Sequence, residues 1–79
     1  MKLTILSLKG KKFEGDAEGF NVKTTSGEIT ILDHHRPLVT ILAKGTAIVI
    51  KSGEKREKLE INSGFLEMGP NNELSVLAD

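Results

Sequence analysis

Turn residues recur so often in this chain that no long element can form: glycine, proline or a small polar pair breaks it every six to ten residues. A helix that holds its own needs about 12 or more residues and an apolar stripe of period 3.6, and the intervals between these breaks are too short for one. Strands of five or six residues do fit. The intervals are also rich in residues that favour extended backbone, with Ile, Val and Thr together supplying 17 of the 79 positions.

Alternation then assigns faces. Lys2 to Leu8 sets Leu3 and Ile5 on one side against Lys2 and Thr4 on the other, before Lys9, Gly10, Lys11 and Lys12 turn the chain. Phe13 and Gly15 mark a short second strand. Phe20, Val22 and Thr24 alternate with Asn21 and Lys23, Ser26 and Gly27 turn, and Glu28 to Leu32 returns as the second half of a hairpin-like unit. Asp33 to Pro37 is a loop, because the residue before proline avoids the helical region and Asp caps turns through its side chain. Leu38 to Leu42 resumes the strand pattern, Lys44 and Gly45 break it, Thr46 to Lys51 is apolar on both faces, and Ser52 and Gly53 turn again. Glu54 to Glu60 consists of good helix formers, yet it is below helix length and Leu59 and Ile61 keep a period of two, so it reads as an exposed strand. Phe65 to Met68 follows Ser63 and Gly64, and the turn Gly69, Pro70, Asn71, Asn72 leads into Leu74, Val76 and Ala78.

A single small sheet cannot bury two apolar faces, so these strands predict one all-β domain over residues 1–79: a small β-sandwich or pseudo-barrel of two sheets. Size bounds its function. A domain this short buries only about 60% of the surface its unfolded chain exposes, which leaves a thin core, no deep substrate cavity, and a binding module as the expectation. Eleven basic residues balance eleven acidic ones and three Phe are the whole aromatic supply, the opposite of what phosphate binding and base stacking require. No nucleic acid partner is expected. The absence of cysteine excludes disulfides and thiolate metal sites. The longest apolar run, Ala47 to Ile50, is far below the roughly 20 residues of a membrane span. The opening residues read as a strand and not as a signal peptide, so a cytosolic setting is expected.

Candidate chemistry is sparse. Asp33, His34 and His35 suggest a metal site, but neighbouring side chains of an extended chain point to opposite faces and no third ligand lies nearby in sequence. No serine sits in G-x-S-x-G, and neither glycine-rich phosphate loop occurs. The mixed charges from Glu54 to Lys58 suit edge protection. Glu67 and Met68 resemble the attachment turn of biotinyl and lipoyl carrier domains, but that turn needs a lysine where Gly69 stands. No catalytic residue, metal or cofactor is expected.

Two blocks carry a more specific likeness. Thr24 to Val39, TTSGEITILDHHRPLV, and Ser63 to Asp79, SGFLEMGPNNELSVLAD, resemble the N-terminal β-sandwich domain of the epsilon subunit of rotary, F-type ATP synthases. The matches are Gly27, Glu28, His35, Pro37, Leu38, Gly45, Gly64, Leu66, Glu67 and the closing Val76 to Asp79. The resemblance implies a flattened sandwich of about ten strands, and a non-catalytic central-stalk subunit that links gamma to the c-ring and couples ion flow to ATP synthesis. It also implies a place on the cytoplasmic face of the bacterial cell membrane, touched only through the ring. Ser26, Gly27 and Glu28 match the loop on the c-ring side; His35, Pro37, Leu38 and Thr40 fall in the gamma-facing region. A small all-β ligand-binding or carrier domain is the rival reading. Asp33 and His34 replace the family's Pro-Gly, Arg36 an Ala, Thr30 a Gly and Lys44 a Pro, and losing a permissive glycine at His34 makes the gamma-side loop the part most open to change. Inhibition of ATP hydrolysis and nucleotide binding belong in that family to a helical hairpin beyond Val-Leu-Ala-Asp, and are not carried over to a sequence ending at Asp79.

Overall fold

Nine strands form in the computed structural model, which describes residues 1–79: β1 (Lys2–Ser7), β2 (Gly10–Asp16), β3 (Gly19–Thr24), β4 (Gly27–Leu32), β5 (Leu38–Leu42), β6 (Gly45–Ile50), β7 (Arg56–Ile61), β8 (Gly64–Met68) and β9 (Glu73–Ala78). The stretch Glu54 to Glu60, expected as one exposed strand, is a strand only from Arg56 onward, and Ser52–Glu54 makes one 3-10 turn.

All nine strands belong to one hydrogen-bonded network in the order β2-β1-β9-β8-β5-β3-β6-β7, with β4 on the other side of β3. Laid flat, the eight strands of that path would stretch about 34 Å at one strand's thickness, whereas the molecule measures 27 × 23 × 21 Å. The sheet therefore folds over on itself. The corner lies at β3, which shares one edge between two partners: Gly19 to Asn21 pair with Ile48 to Ile50 of β6, and Thr24 pairs with Leu42 of β5. One layer is β2-β1-β9-β8-β5 and the other β4-β3-β6-β7, the sandwich that the alternation predicts.

Sixteen buried apolar residues fill the space between the layers. Leu3 and Ile5 of β1, Leu66 and Met68 of β8, and Leu74, Val76 and Ala78 of β9 come from one layer; Phe20, Val22, Ile31, Ala47, Val49 and Ile61 come from the other. Thr24 is the one buried polar residue besides these. Its hydroxyl donates to the Gly27 carbonyl at 2.6 Å and accepts from the Ser26 N–H at 3.1 Å, so it is satisfied and it pins the β3–β4 turn. Gly64 closes the β8–β9 pair opposite Ala78 with a φ of +148°.

Candidate functional site

The strands carry the two expected contact segments to opposite ends of the sandwich. The register of β3 with β4 sets Thr24 beside Gly27 at one end and Gly19 beside Leu32 at the other. The Ser26-Gly27-Glu28 turn and the His34–Pro37 loop therefore stand about 20 Å apart, one strand length. Glu28 is exposed and accepts one hydrogen bond, from the Asn21 side-chain amide at 3.1 Å.

Within the second segment the pleat separates neighbours. Leu38 is half-buried against the core and Thr40 is half-buried on the same pleat, which ends in buried Leu42. Val39 and Ile41 point the other way and are 68% and 62% exposed. They extend a feature that strand-by-strand reading does not reveal. Ile41 pairs with Phe65, Phe65 with Leu77, and Leu77 with Leu6. Directly paired residues share a face, so Ile41, Phe65, Leu77 and Leu6 make an unbroken apolar row across the outside of β5-β8-β9-β1. With Val39 beside it and Leu8 at its end, this face exposes on the order of 500 Å² of apolar surface, near the top of the range for the largest patch on a soluble monomer. A shallow apolar depression of about 350 Å³, bordered by Leu8, Gly64, Phe65, Leu77 and Ala78, continues it toward the end of β9. The available sequence signal was the double-faced apolar run Leu38 to Leu42, which one core alone does not need.

At the opposite end, the His34–Pro37 loop is tied down across long sequence separations. The buried N-terminal ammonium donates to the Ala17 carbonyl at 2.9 Å and to Asp33 Oδ1. Asn72 Nδ2 donates to the same Asp33 oxygen at 3.3 Å, and Asn72 Oδ1 accepts from the His34 N–H at 2.7 Å. His34 has a φ of +61°, in the left-handed region that favours glycine. The His35 ring Nδ1 is engaged with the Arg36 carbonyl at 2.7 Å, and no three His, Asp or Glu side chains gather around a common point.

Hydrogen bonding from the N-terminal ammonium, and then from Asn72, holds the Asp33 carboxyl below the ordinary aspartate value of 3.8. A carboxyl whose native value is lowered contributes stability that is fully present above 3.8 and is lost as the pH falls through the lowered native value. Melting curves from pH 6 to pH 2 should therefore show an acid limb that Asp33→Asn flattens. An unchanged limb would mean that the contact does not hold the loop.

A folded-over β-sheet with an apolar seat on one outer face, and only open depressions elsewhere, has the build of a docking domain. The chain belongs to the family described as ATP synthase, Delta/Epsilon chain, beta-sandwich domain, which it matches over residues 1–79. It is 42% identical over 79 residues to the ATP synthase epsilon chain of Shouchella clausii and 34% identical to that of Halalkalibacterium halodurans, covering all of this chain and 58% of each relative. The chain thus spans a little under three-fifths of the length of these curated relatives. Among solved structures, a chain of the Euglena gracilis mitochondrial ATP synthase OSCP/F1/c-ring assembly superposes with a TM-score of 0.90 at 22% identity, over 96% of this chain and 48% of that one. A chain of the Tetrahymena thermophila mitochondrial ATP synthase central stalk and c-ring superposes with 0.83 at 12% identity, over 99% and 62%. These two likenesses show the fold. No helix is long and apolar enough to cross a membrane.

Proposed function

We propose that this chain is the β-sandwich part of a non-catalytic central-stalk subunit of an F-type ATP synthase, which grips gamma and reaches the c-ring so that ion translocation is coupled to ATP synthesis. The observation that carries the reading is the outer apolar row Ile41, Phe65, Leu77, Leu6, because a patch of that extent on so small a body marks a surface that a protein partner covers. The row reaches the turn on the ring side. The Thr25 N–H donates to the Ile41 carbonyl at 3.0 Å, so Ser26, Gly27 and Glu28 stand one strand beyond the end of the row. In this reading those three residues meet the c-ring, where the Glu28 carboxylate complements basic loops. Gamma covers the row and Val39 beside it and extends along β5 to His35 and Pro37 at the far end, while Leu38 and Thr40, on the inner pleat of β5, hold that strand in place under the contact. The domain makes and breaks no bonds; it passes torque, and a body whose two layers share one hydrogen-bonded network resists shear between its contacts. It sits peripherally on the cytoplasmic face of the bacterial membrane, which it reaches only through the ring.

Capture tests this. Purified gamma on a solid support should retain the folded chain through a stringent wash, and a folded chain that gamma fails to hold would overturn the reading.

A further inference from the structure

The three sheet edges are not equally guarded. β2 carries Lys11, Lys12, Glu14 and Asp16 and faces a register break in β1 between Ile5 and Leu6. β7 carries Arg56, Glu57, Lys58 and Glu60. Charges and bulges of this kind keep edges from pairing with other chains. β4, Gly27–Leu32, has one charge, Glu28, and a run of β-branched residues from Ile29 to Ile31.

Its free backbone groups can be assigned. The Lys23 carbonyl accepts from the Ala43 N–H at 2.9 Å and the Thr25 N–H donates to Ile41, so the odd-numbered residues of β3 turn their backbone toward β5. The even-numbered ones then face β4, and their partners there are Gly27, Ile29 and Ile31. Glu28, Thr30 and Leu32 turn theirs outward. Of those groups only the Leu32 carbonyl has a partner, the His35 N–H at 3.1 Å. Beside this edge Ile29 is still only half-buried against the core.

We propose that the free edge of β4 takes an extended strand of gamma, added to the sheet through the outward backbone groups of Glu28, Thr30 and Leu32. The inference rests on the stalk reading and adds the manner of attachment. The added strand places apolar side chains beside Ile29 and Ile31 on the inner face and a polar one beside Thr30 on the outer face, the pattern of alternate pockets that strand addition uses, and it leaves the Glu28 carboxylate to the ring. β4 joins the ring-side turn to the gamma-side loop, so a strand paired there fixes both contacts to one rigid element.

Amide hydrogen exchange in the free chain and in its complex with gamma tests this. The Ile29 and Ile31 amides, bonded to β3, should be slow in both states. Those of Glu28, Thr30 and Leu32 should be fast in the free chain and slowed about tenfold or more in the complex. Thr30→Pro removes an N–H that the β3–β4 ladder does not use, so it should melt near wild type and yet bind gamma about tenfold more weakly. Thr30→Ala, which loses only the hydroxyl bonded to Asn21 at 2.8 Å, should bind as wild type does. A complex in which the three amides stay fast overturns the strand and leaves the stalk reading intact. Protection that grows with concentration in the free chain assigns the edge to a second copy and also overturns it. No capture by gamma at all overturns the stalk reading, and the strand with it.

Discussion

Phe65→Glu should weaken gamma binding by about 100-fold or more while leaving the thermal unfolding of the free chain nearly unchanged. Phe65 is 44% exposed and stands between Ile41 and Leu77 in the middle of the outer row. Aromatic residues at the centre of an apolar interface carry most of its energy, and a carboxylate there would be desolvated without a partner. In the free chain the same carboxylate projects into water, so folding should lose only a fraction of a kcal/mol, up to about 1 if strand propensity counts in full. Titration of immobilised gamma and a melting curve separate the two effects. Wild-type affinity in Phe65→Glu would remove the row from the interface. Leu38→Asp is a poorer probe, because Leu38 packs against the core and its substitution mixes lost binding with lost folding.

The strands were legible because each depends on local information. Gly10, Gly27, Gly45, Gly53 and Gly64 open strands or sit in the turns between them, and a period of two is visible within a handful of residues. The helix-like composition of Glu54 to Glu60 was overridden by pairing: Leu59 stands opposite Ala47, and Ile61 opposite Gly45. The outer row was not legible, because its four members come from four strands and meet only through register. In Leu38-Val39-Thr40-Ile41-Leu42 the sequence offers apolar residues to both faces. The choice is made when Leu42 pairs with Thr24 at the corner and Leu38 with Met68, which turns Val39 and Ile41 outward. The His34–Pro37 loop was half legible. Pro37 announces it, but its anchor on Asn72, 38 residues away from His34, belongs to the folded state alone.

Gly64→Ala should cost more than any surface change, about 3 kcal/mol or more out of a total that for 79 residues is on the order of 4–12. At a φ of +148° a β-carbon on residue 64 would lie 2.0 Å from the Leu77 carbonyl oxygen and 2.9 Å from the Ala78 Cα, all of them backbone atoms. No rotamer relieves that contact, and the backbone is held on both sides of it: the Asp79 N–H donates to the Ser63 carbonyl at 2.9 Å and the Asn62 N–H to the Asp79 carbonyl at 3.0 Å. Gly53→Ala is the matched control. Gly53 has a φ of +72° and open space around it, so its substitution costs only the left-handed conformation, about 1–2 kcal/mol. Urea midpoints should therefore fall much further for Gly64→Ala, and equal midpoints would show that β8 and β9 can part without consequence. The strain would spread to the proposed interface. Phe65 follows the glycine and Leu77 supplies the carbonyl it approaches, so a chain forced to open here loses the middle of its outer row along with the hydrogen bonds that close the sheet.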